Sequence, residues 1–269
     1  VRVTGTNTEA QYIAAALLIP GSSWQKTGPG GDDLTDFVFE STNEIKFSFS
    51  GANSISGEYA AGIDPALPNL VPEFISNKDG NWSDPTIWTE TTSTGYVLSG
   101  APRGFIMVID AAHTVKTDIN YVSSYRTTIN GRLEVNASTV GHNLGTVSGN
   151  GTLALESATF PAGRYTDFFS CAGNSILEYG GTSSYTIVAD LYDELARLYF
   201  TGSGTKTLPN KDLTICKRLL INGPALDNSL NNKKLTIRGT MERLSGSFNS
   251  GSGAGAIVSF AGTSPQTIG

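Results

Sequence analysis

The residues able to do chemistry are few and widely spread. Cys171 and Cys216 are the only cysteines, and His113 and His142 the only histidines. Two cysteines are too few for a disulfide scaffold. They can form one bridge if the fold brings their Cα atoms to about 4–7 Å, or stand as two inert buried thiols. Catalysis of the Ser/His/Asp kind needs a histidine beside a serine in space, but His113 lies in the strand-like AAHTV and His142 in the turn-like VGHNLG. Both contexts suit surface or turn histidines better than a general base. Asp190, Asp193, Glu194 and Arg197 crowd one stretch, the kind of acid-plus-cation set that β-helical polysaccharide enzymes place on an exposed strand face. The same stretch, ADLYDELARL, carries Leu191, Leu195 and Leu198 at helical spacing, which predicts a short amphipathic insertion or loop. Asp32, Asp33 and Asp36 follow Gly28-Pro29-Gly30-Gly31 and could gather oxygens around Ca²⁺. Their spacing matches no defined calcium loop and reads as a solvated turn.

Trp82 and Trp88 stand six residues apart in GNWSDPTIW. Aromatic faces stack on pyranose rings, so the pair could line a carbohydrate platform. It could equally plug the open end of a stacked core, and the need of such a core for a cap favours the plug. The chain has no G-x-S-x-G elbow, P-loop, H-E-x-x-H or C-x-x-C, which removes the commonest hydrolase, nucleotide and zinc readings. No catalytic residue is assigned, and a non-enzymatic role is expected.

The elements that would carry these residues are announced by an internal repeat. Ile176 to Ile187 reads ILEYGGTSSYTI and Ile257 to Ile268 reads IVSFAGTSPQTI, with six of twelve positions identical. The Thr of a recurring Thr-Ile or Thr-Val phrase falls at Thr128, Thr146, Thr186, Thr214, Thr236 and Thr267. These gaps approximate one or two coils of about 20 residues plus insertions, the period range of a solenoid. Within each unit apolar and small polar residues alternate, as in Leu153-Ala154-Leu155, Leu213-Thr214-Ile215 and Leu235-Thr236-Ile237. Period two means short strands with one side buried. Asn130-Gly131, Gly202-Ser203-Gly204 and Asn222-Gly223-Pro224 supply corners. The expected fold is all-β: a right-handed parallel β-helix, in keeping with the handedness of parallel crossovers, preceded by a small β-sandwich-like module. A pair of β-sandwiches built from hairpins is the competing architecture. The expected organisation is an N-terminal β module over 1–63, a proline-rich linker over 64–78, and a solenoid over 79–269 that opens with the tryptophan cap and is cut short at its end.

A net charge of −6 without any Lys/Arg stripe argues against nucleic acid as a partner. The longest apolar run, Tyr12 to Pro20, is about half the length of a bilayer-crossing helix, so no membrane span is expected. The chain starts without Met and ends within a repeat, which reads as a fragment of a longer polypeptide.

GNWSDPTIW followed by IDAAHTVKTD, TTINGRLEV, GTVSGNGTLAL, FPAGRY, LEYGGTSSYTI, TGSGTKTLPNKDLTI and SGSGAGAIVSFAGTSPQTIG resembles the repeat-rich β-solenoid modules of very large Bacteroidota surface proteins. Many of these are type IX secretion substrates, and gliding-motility adhesins are among them. The W-x-x-P-x-x-W segment also looks like the opening of the G8 type of extracellular module. The resemblance covers roughly Gly57 to the end and specifies architecture better than activity. It implies an extracellular, cell-surface or secreted setting, a structural or adhesive role, and cell-surface glycans or the secretion and motility machinery as partners, the last including presence as export cargo. It carries over no catalytic residue. The rival expectation is a carbohydrate-binding module or polysaccharide-degrading β-helix.

Overall fold

The structure, a computed structural model, describes residues 71–92, 96–188 and 191–263, and before them the backbone of five short strands. Ile13–Leu17 lies between Gln25–Lys26 and Glu58–Gly62, and Val38–Phe39 runs against Glu44–Ile45, all antiparallel. The apolar run from Tyr12 to Pro20 therefore contains a strand. Asp32, Asp33 and Asp36 lie outside the described residues.

From Glu73 onward the backbone winds. One long sheet takes successive strands in chain order: Gly80–Asn81, Thr114–Lys116, Arg132–Val135, Thr152–Leu155, Ile176–Tyr179, Glu194–Phe200, Leu213–Ile221, Leu235–Ile237 and Val258–Phe260. Every neighbouring pair along this path is parallel. Thr240–Arg243 joins the second half of Leu213–Ile221 in the same sense. A first side sheet holds Glu73–Ser76, Ile106–Ile109, Arg126–Ile129, Asn143–Ser148 and Ala162–Arg164, and is closed at its N-terminal edge by the antiparallel strand Trp88–Glu90. A second side sheet holds Tyr185–Thr186, Thr205–Thr207, Ala225–Asp227 and Ser247–Asn249. This is a parallel β-solenoid. Antiparallel hairpins packed in two layers, as the sandwich alternative requires, are not how its rungs pair.

Register accounts for the echo of about 20 residues. Val115 stacks on Leu133, Leu133 on Leu153, Leu153 on Leu177, Leu177 on Leu198, Leu198 on Leu219 and Leu219 on Met241. All are buried. A second inward column runs through Val135, Leu155, Tyr179, Phe200 and Ile221, with the Tyr179 and Phe200 rings stacked 6.0 Å apart. Side chains alternate in and out along a strand, so each inward residue meets its equivalents one rung above and below and is sheltered only when both are present.

The corners are as tight as Asn-Gly pairs suggest. A Cβ on Gly131 would stand 2.1 Å from the Asp110 carbonyl oxygen and 2.3 Å from that of His113. Only a residue lacking one lets the neighbouring rung approach so closely.

Two expectations need correction. Glu73–Ser76, inside the stretch assigned to the linker, is already a solenoid strand: Phe74 is buried against Met107, and the Pro72 carbonyl accepts from Ile106 N–H. A proline just before a strand loses no ladder donor that the sheet needs. From Glu194 on, the stretch expected as an amphipathic insertion or loop is instead strand, because Glu194–Phe200 is a seven-residue strand of the long sheet, while Ala189 and Asp190 lie outside the described residues. Its register against Leu213–Ile221 shifts between Leu195 and Arg197. That bulge lets Leu195 and Leu198, three residues apart, both face inward, which imitates helical spacing.

The inward column makes Leu153, fully buried between Leu133 and Leu177, expensive to shorten. Leu153→Ala is expected to lower the unfolding free energy by about 2–5 kcal/mol, and Thr152→Ala, beside it on the outward side, by about 0.5 kcal/mol or less. Equilibrium denaturation of the two variants checks the difference.

Candidate functional site

The tryptophan pair sits at the start of the winding. Asp84 caps the short 3₁₀ turn Pro85–Ile87 by accepting from Thr86 N–H at 2.8 Å, and this turn brings Trp88 back over Trp82. The indoles meet edge to face at 5.3 Å. Trp82 Nε1 donates to the Pro102 carbonyl and Trp88 Nε1 to the Trp82 carbonyl, each at 3.1 Å. Both rings are buried, so they plug the core and offer no open face to a sugar.

On the outer face of the long sheet an ionic ladder crosses several rungs. Arg132 reaches Glu178 with two bonds, Nη1 to Oε2 at 2.8 Å and Nη2 to Oε1 at 3.0 Å, passing over the buried Ala154 of the rung between. Its Nε donates to Glu134 at 2.7 Å, and Lys116 binds the other oxygen of Glu134 at 2.8 Å. Burial pushes the Glu178 carboxyl up, yet hydrogen bonds from Arg132 and Thr201 hold it below the ordinary carboxylate value. Two-pronged Arg–carboxylate pairing is both directional and strong for its kind. The partners are 46 residues apart, so nothing local in the sequence announces them. Further along, Arg218 donates to the Tyr199 hydroxyl at 3.3 Å, lies over its ring at 5.4 Å, and pairs with Glu242.

The chain changes course after Ala162–Arg164, the last strand of the first side sheet. Residues 165–175 form an excursion whose aromatic rings, Tyr165, Phe168 and Phe169, pack with Phe160 and Tyr192. Cys171, within it, is joined by a disulfide to Cys216 in the long strand Leu213–Ile221, with Cα atoms 5.5 Å apart. Lys217 Nζ clamps the same excursion through the Ala172 carbonyl at 3.2 Å and Asn174 Oδ1 at 3.0 Å, and Arg197 Nη1 donates to the Asn174 carbonyl at 3.0 Å. Of the acidic candidates for sugar chemistry, Asp190 lies outside the described residues. Asp193 pairs with Lys211, and Glu194 lies 3.8 Å from Arg238. The geometry thus gives Arg197 to the excursion and gives the two acids to separate cations.

Polar groups also enter the core. His142 was expected at the surface or in a turn, but it is 3% exposed. Its Nδ1 accepts from Val122 N–H at 3.2 Å, and its Nε2 lies 3.0 Å from Thr139 Oγ1. Thr139 in turn meets Thr117 Oγ1 at 2.8 Å and donates to the Asn136 carbonyl at 3.0 Å. This network assigns the proton to Nε2. Sequence inspection missed it because Thr117 and Thr139 occupy the turn of the coil between two sheets, where periodicity gives no inward or outward sign. His113 does meet a serine: Nδ1 lies 3.1 Å from Ser76 Oγ. Ser76 is buried and its Oγ already accepts from Asp110 N–H at 2.9 Å, so the contact pins two rungs together at a corner.

Lys206 is the least expected core residue. It occupies the inward column of the second side sheet between Tyr185 and Leu226 and is completely buried. Nζ donates to the Ser183 carbonyl at 2.6 Å, Ser203 at 2.9 Å and Gly181 at 3.4 Å, and sits 4.3 Å from the centre of the Tyr185 ring. An ammonium has three donors, and here three corner carbonyls from adjacent rungs take them.

No protein-family profile, curated protein or solved structure matches this chain.

Lys206→Met keeps the stem and leaves the Ser183 and Ser203 carbonyls without their donor, while that of Gly181 still accepts from Ser203 N–H. It is expected to reduce the unfolding free energy by about 3 kcal/mol, measured by chemical denaturation. Burial lowers the pKa of His142 below its ordinary 6.5. As pH falls through 6.5 the unfolded chain takes up a proton that the folded chain refuses, so stability declines from there down to the folded pKa and is unaffected by this group above 6.5. The melting temperature is expected to drop between pH 7 and 5.5, with a shallower slope in His142→Gln. Equal slopes in the two proteins would contradict this assignment.

Proposed function

We propose that the chain is a stiff spacer segment of a large secreted or surface-anchored bacterial protein, holding a more distal part away from the cell. The observation that carries this reading is the continuous parallel pairing of the long sheet from Gly80–Asn81 to Val258–Phe260, which a single bulge beside Leu195 does not interrupt. Nine strands at about 4.8 Å spacing extend about 40 Å, and bending that wall means breaking ladder bonds and the inward columns together. The Cys171–Cys216 disulfide accords with an oxidising, extracellular setting. Among the described residues no helix is long and apolar enough to cross a membrane.

A second reading, adhesion to acidic polysaccharide along the outer face, is favoured by Tyr199. The Arg218 guanidinium lies over this ring, and Arg197, two residues before Tyr199 on the same strand, pairs in register with Arg218 on the next.

The spacer reading predicts that coils are interchangeable units of length. Residues 130–149 make one coil, since Arg126 pairs with Thr146 and Leu133 with Leu153. Duplicating them should give a chain that melts as cooperatively as the parent and is longer by about 4.8 Å in small-angle scattering. Pulled from its ends, the protein should hold until whole coils peel away, each releasing about 20 residues or roughly 70 Å of chain. Smooth extension at low force would defeat the spacer reading. Micromolar binding to an acidic glycan, lost in Tyr199→Ala, would favour the second.

A further inference from the structure

We infer that, when the Cys171–Cys216 bond is reduced, the two sulfurs and the Glu194 carboxylate form a site for a thiophilic divalent metal ion of the Zn²⁺ class. This site is independent of the spacer reading. The three ligand atoms lie within 4.8 Å of one another and come from three places in the chain. Cys171 is supplied by the excursion over 165–175, and Glu194 and Cys216 by two adjacent parallel strands of the long sheet. The register shift beside Leu195 breaks strict alternation at this point, and Glu194 on one strand and Cys216 on the next both reach Cys171.

The chemistry selects the ion. Two sulfurs and one oxygen suit a soft or borderline metal, whereas Ca²⁺ takes six to eight hard oxygens. Donors on a tetrahedral zinc ion, at 2.0–2.3 Å from it, stand about 3.7 Å apart. To reach that spacing the two half-buried sulfurs, bonded to each other in the disulfide, move apart on reduction, and the exposed Glu194 side chain swings its carboxylate in from within 4.8 Å. The exposed side leaves a fourth position for water. Arg238 lies 3.8 Å from Glu194, and Lys217 and Arg197 are held against Asn174 three residues from Cys171. This positive rim offsets the excess negative charge of two thiolates and a carboxylate around a divalent ion.

The exchange balances. A dithiol reductant gives two electrons and two protons to the disulfide and becomes a disulfide itself. The S–S bond breaks and two S–H groups form. The metal ion then displaces both thiol protons into water, and Glu194 supplies its carboxylate. In either state the excursion stays fastened to the Leu213–Ile221 strand, by a covalent bond in oxidising surroundings and by a metal ion in reducing ones.

The test uses the whole chain, oxidised or reduced with dithiothreitol, the reductant being removed under nitrogen before titration with Co²⁺. The reduced protein is expected to develop thiolate-to-cobalt absorption in the near ultraviolet with tetrahedral bands in the visible, saturating at one equivalent and erased by Zn²⁺. The oxidised protein should show neither. Glu194→Gln, on an exposed side chain, should melt like the parent yet bind Co²⁺ at least about ten-fold more weakly, and the double variant Cys171→Ser, Cys216→Ser should not bind. Absence of the thiolate absorption in the reduced chain, or unchanged affinity in Glu194→Gln, overturns the site. So does loss of the cooperative melt on reduction, because the three ligands converge only in the folded chain.

Discussion

The structure depends on one constraint: each rung must present the same residue to the same place on the next. Parallel pairing makes this possible, because a strand whose neighbour runs in the same direction meets its equivalents at every position. The columns from Val115 to Met241 and from Val135 to Ile221 follow from that. So do the tight corners, where the Gly131, Gly202 and Gly223 positions admit a carbonyl of the preceding rung at distances no side chain would tolerate. Hydrogen bonds and apolar shelter come from the same neighbour, so neither can be lost alone. Among the described residues the first rung has no parallel neighbour on one side, and the folded-back strand Trp88–Glu90 and the two buried indoles cover it there.

Much of this was legible in the chain itself, because the repeat is a direct image of register. Thr-Ile phrases about one coil apart, alternation within each unit and Asn-Gly at the corners name the winding and its period. What stayed hidden was whatever depends on which rungs become neighbours. Arg132 and Glu178 pair across an intervening coil. Nothing within ten residues of either points to the other, and the 20-residue period is too loose to align them before the excursion at 165–175 is counted. The tryptophans were interpretable because a plug and its purpose are both local to one segment.

The misreadings share a cause. Leu191, Leu195 and Leu198 suggested a helical face, yet a single bulge turns alternation into three-residue spacing, and that is enough to disguise a strand. Proline density suggested that the linker ran to residue 78, yet the last proline before the winding merely precedes a strand and serves it with a carbonyl. In both, a local propensity was outweighed by the ladder a neighbouring rung offered. His142 and Lys206 went unrecognised for the opposite reason. A polar residue in the interior is invisible to hydrophobic periodicity, and its place is justified only by partners that the winding brings together.

Those buried polar residues show where a solenoid is weakest and how this one copes. Along the sheets the backbone satisfies itself. At the turns between sheets carbonyls and N–H groups face inward without a ladder partner, and a buried unpaired group costs far more than a hydrogen bond returns. Side chains take over there: Thr117, Thr139 and His142 at one turn, Lys206 across the carbonyls of Gly181, Ser183 and Ser203 at another, and Asn228 bridging Lys233 and Ser250 at a third. Each brace spans residues of different rungs or both ends of a loop, so it fastens one coil to the next at a point where the sheet does not. Bending of a stack concentrates where ladders are interrupted. Bracing those points with short, directional bonds to carbonyls outside the ladders therefore stiffens the whole axis more than an equal number of contacts added within a sheet.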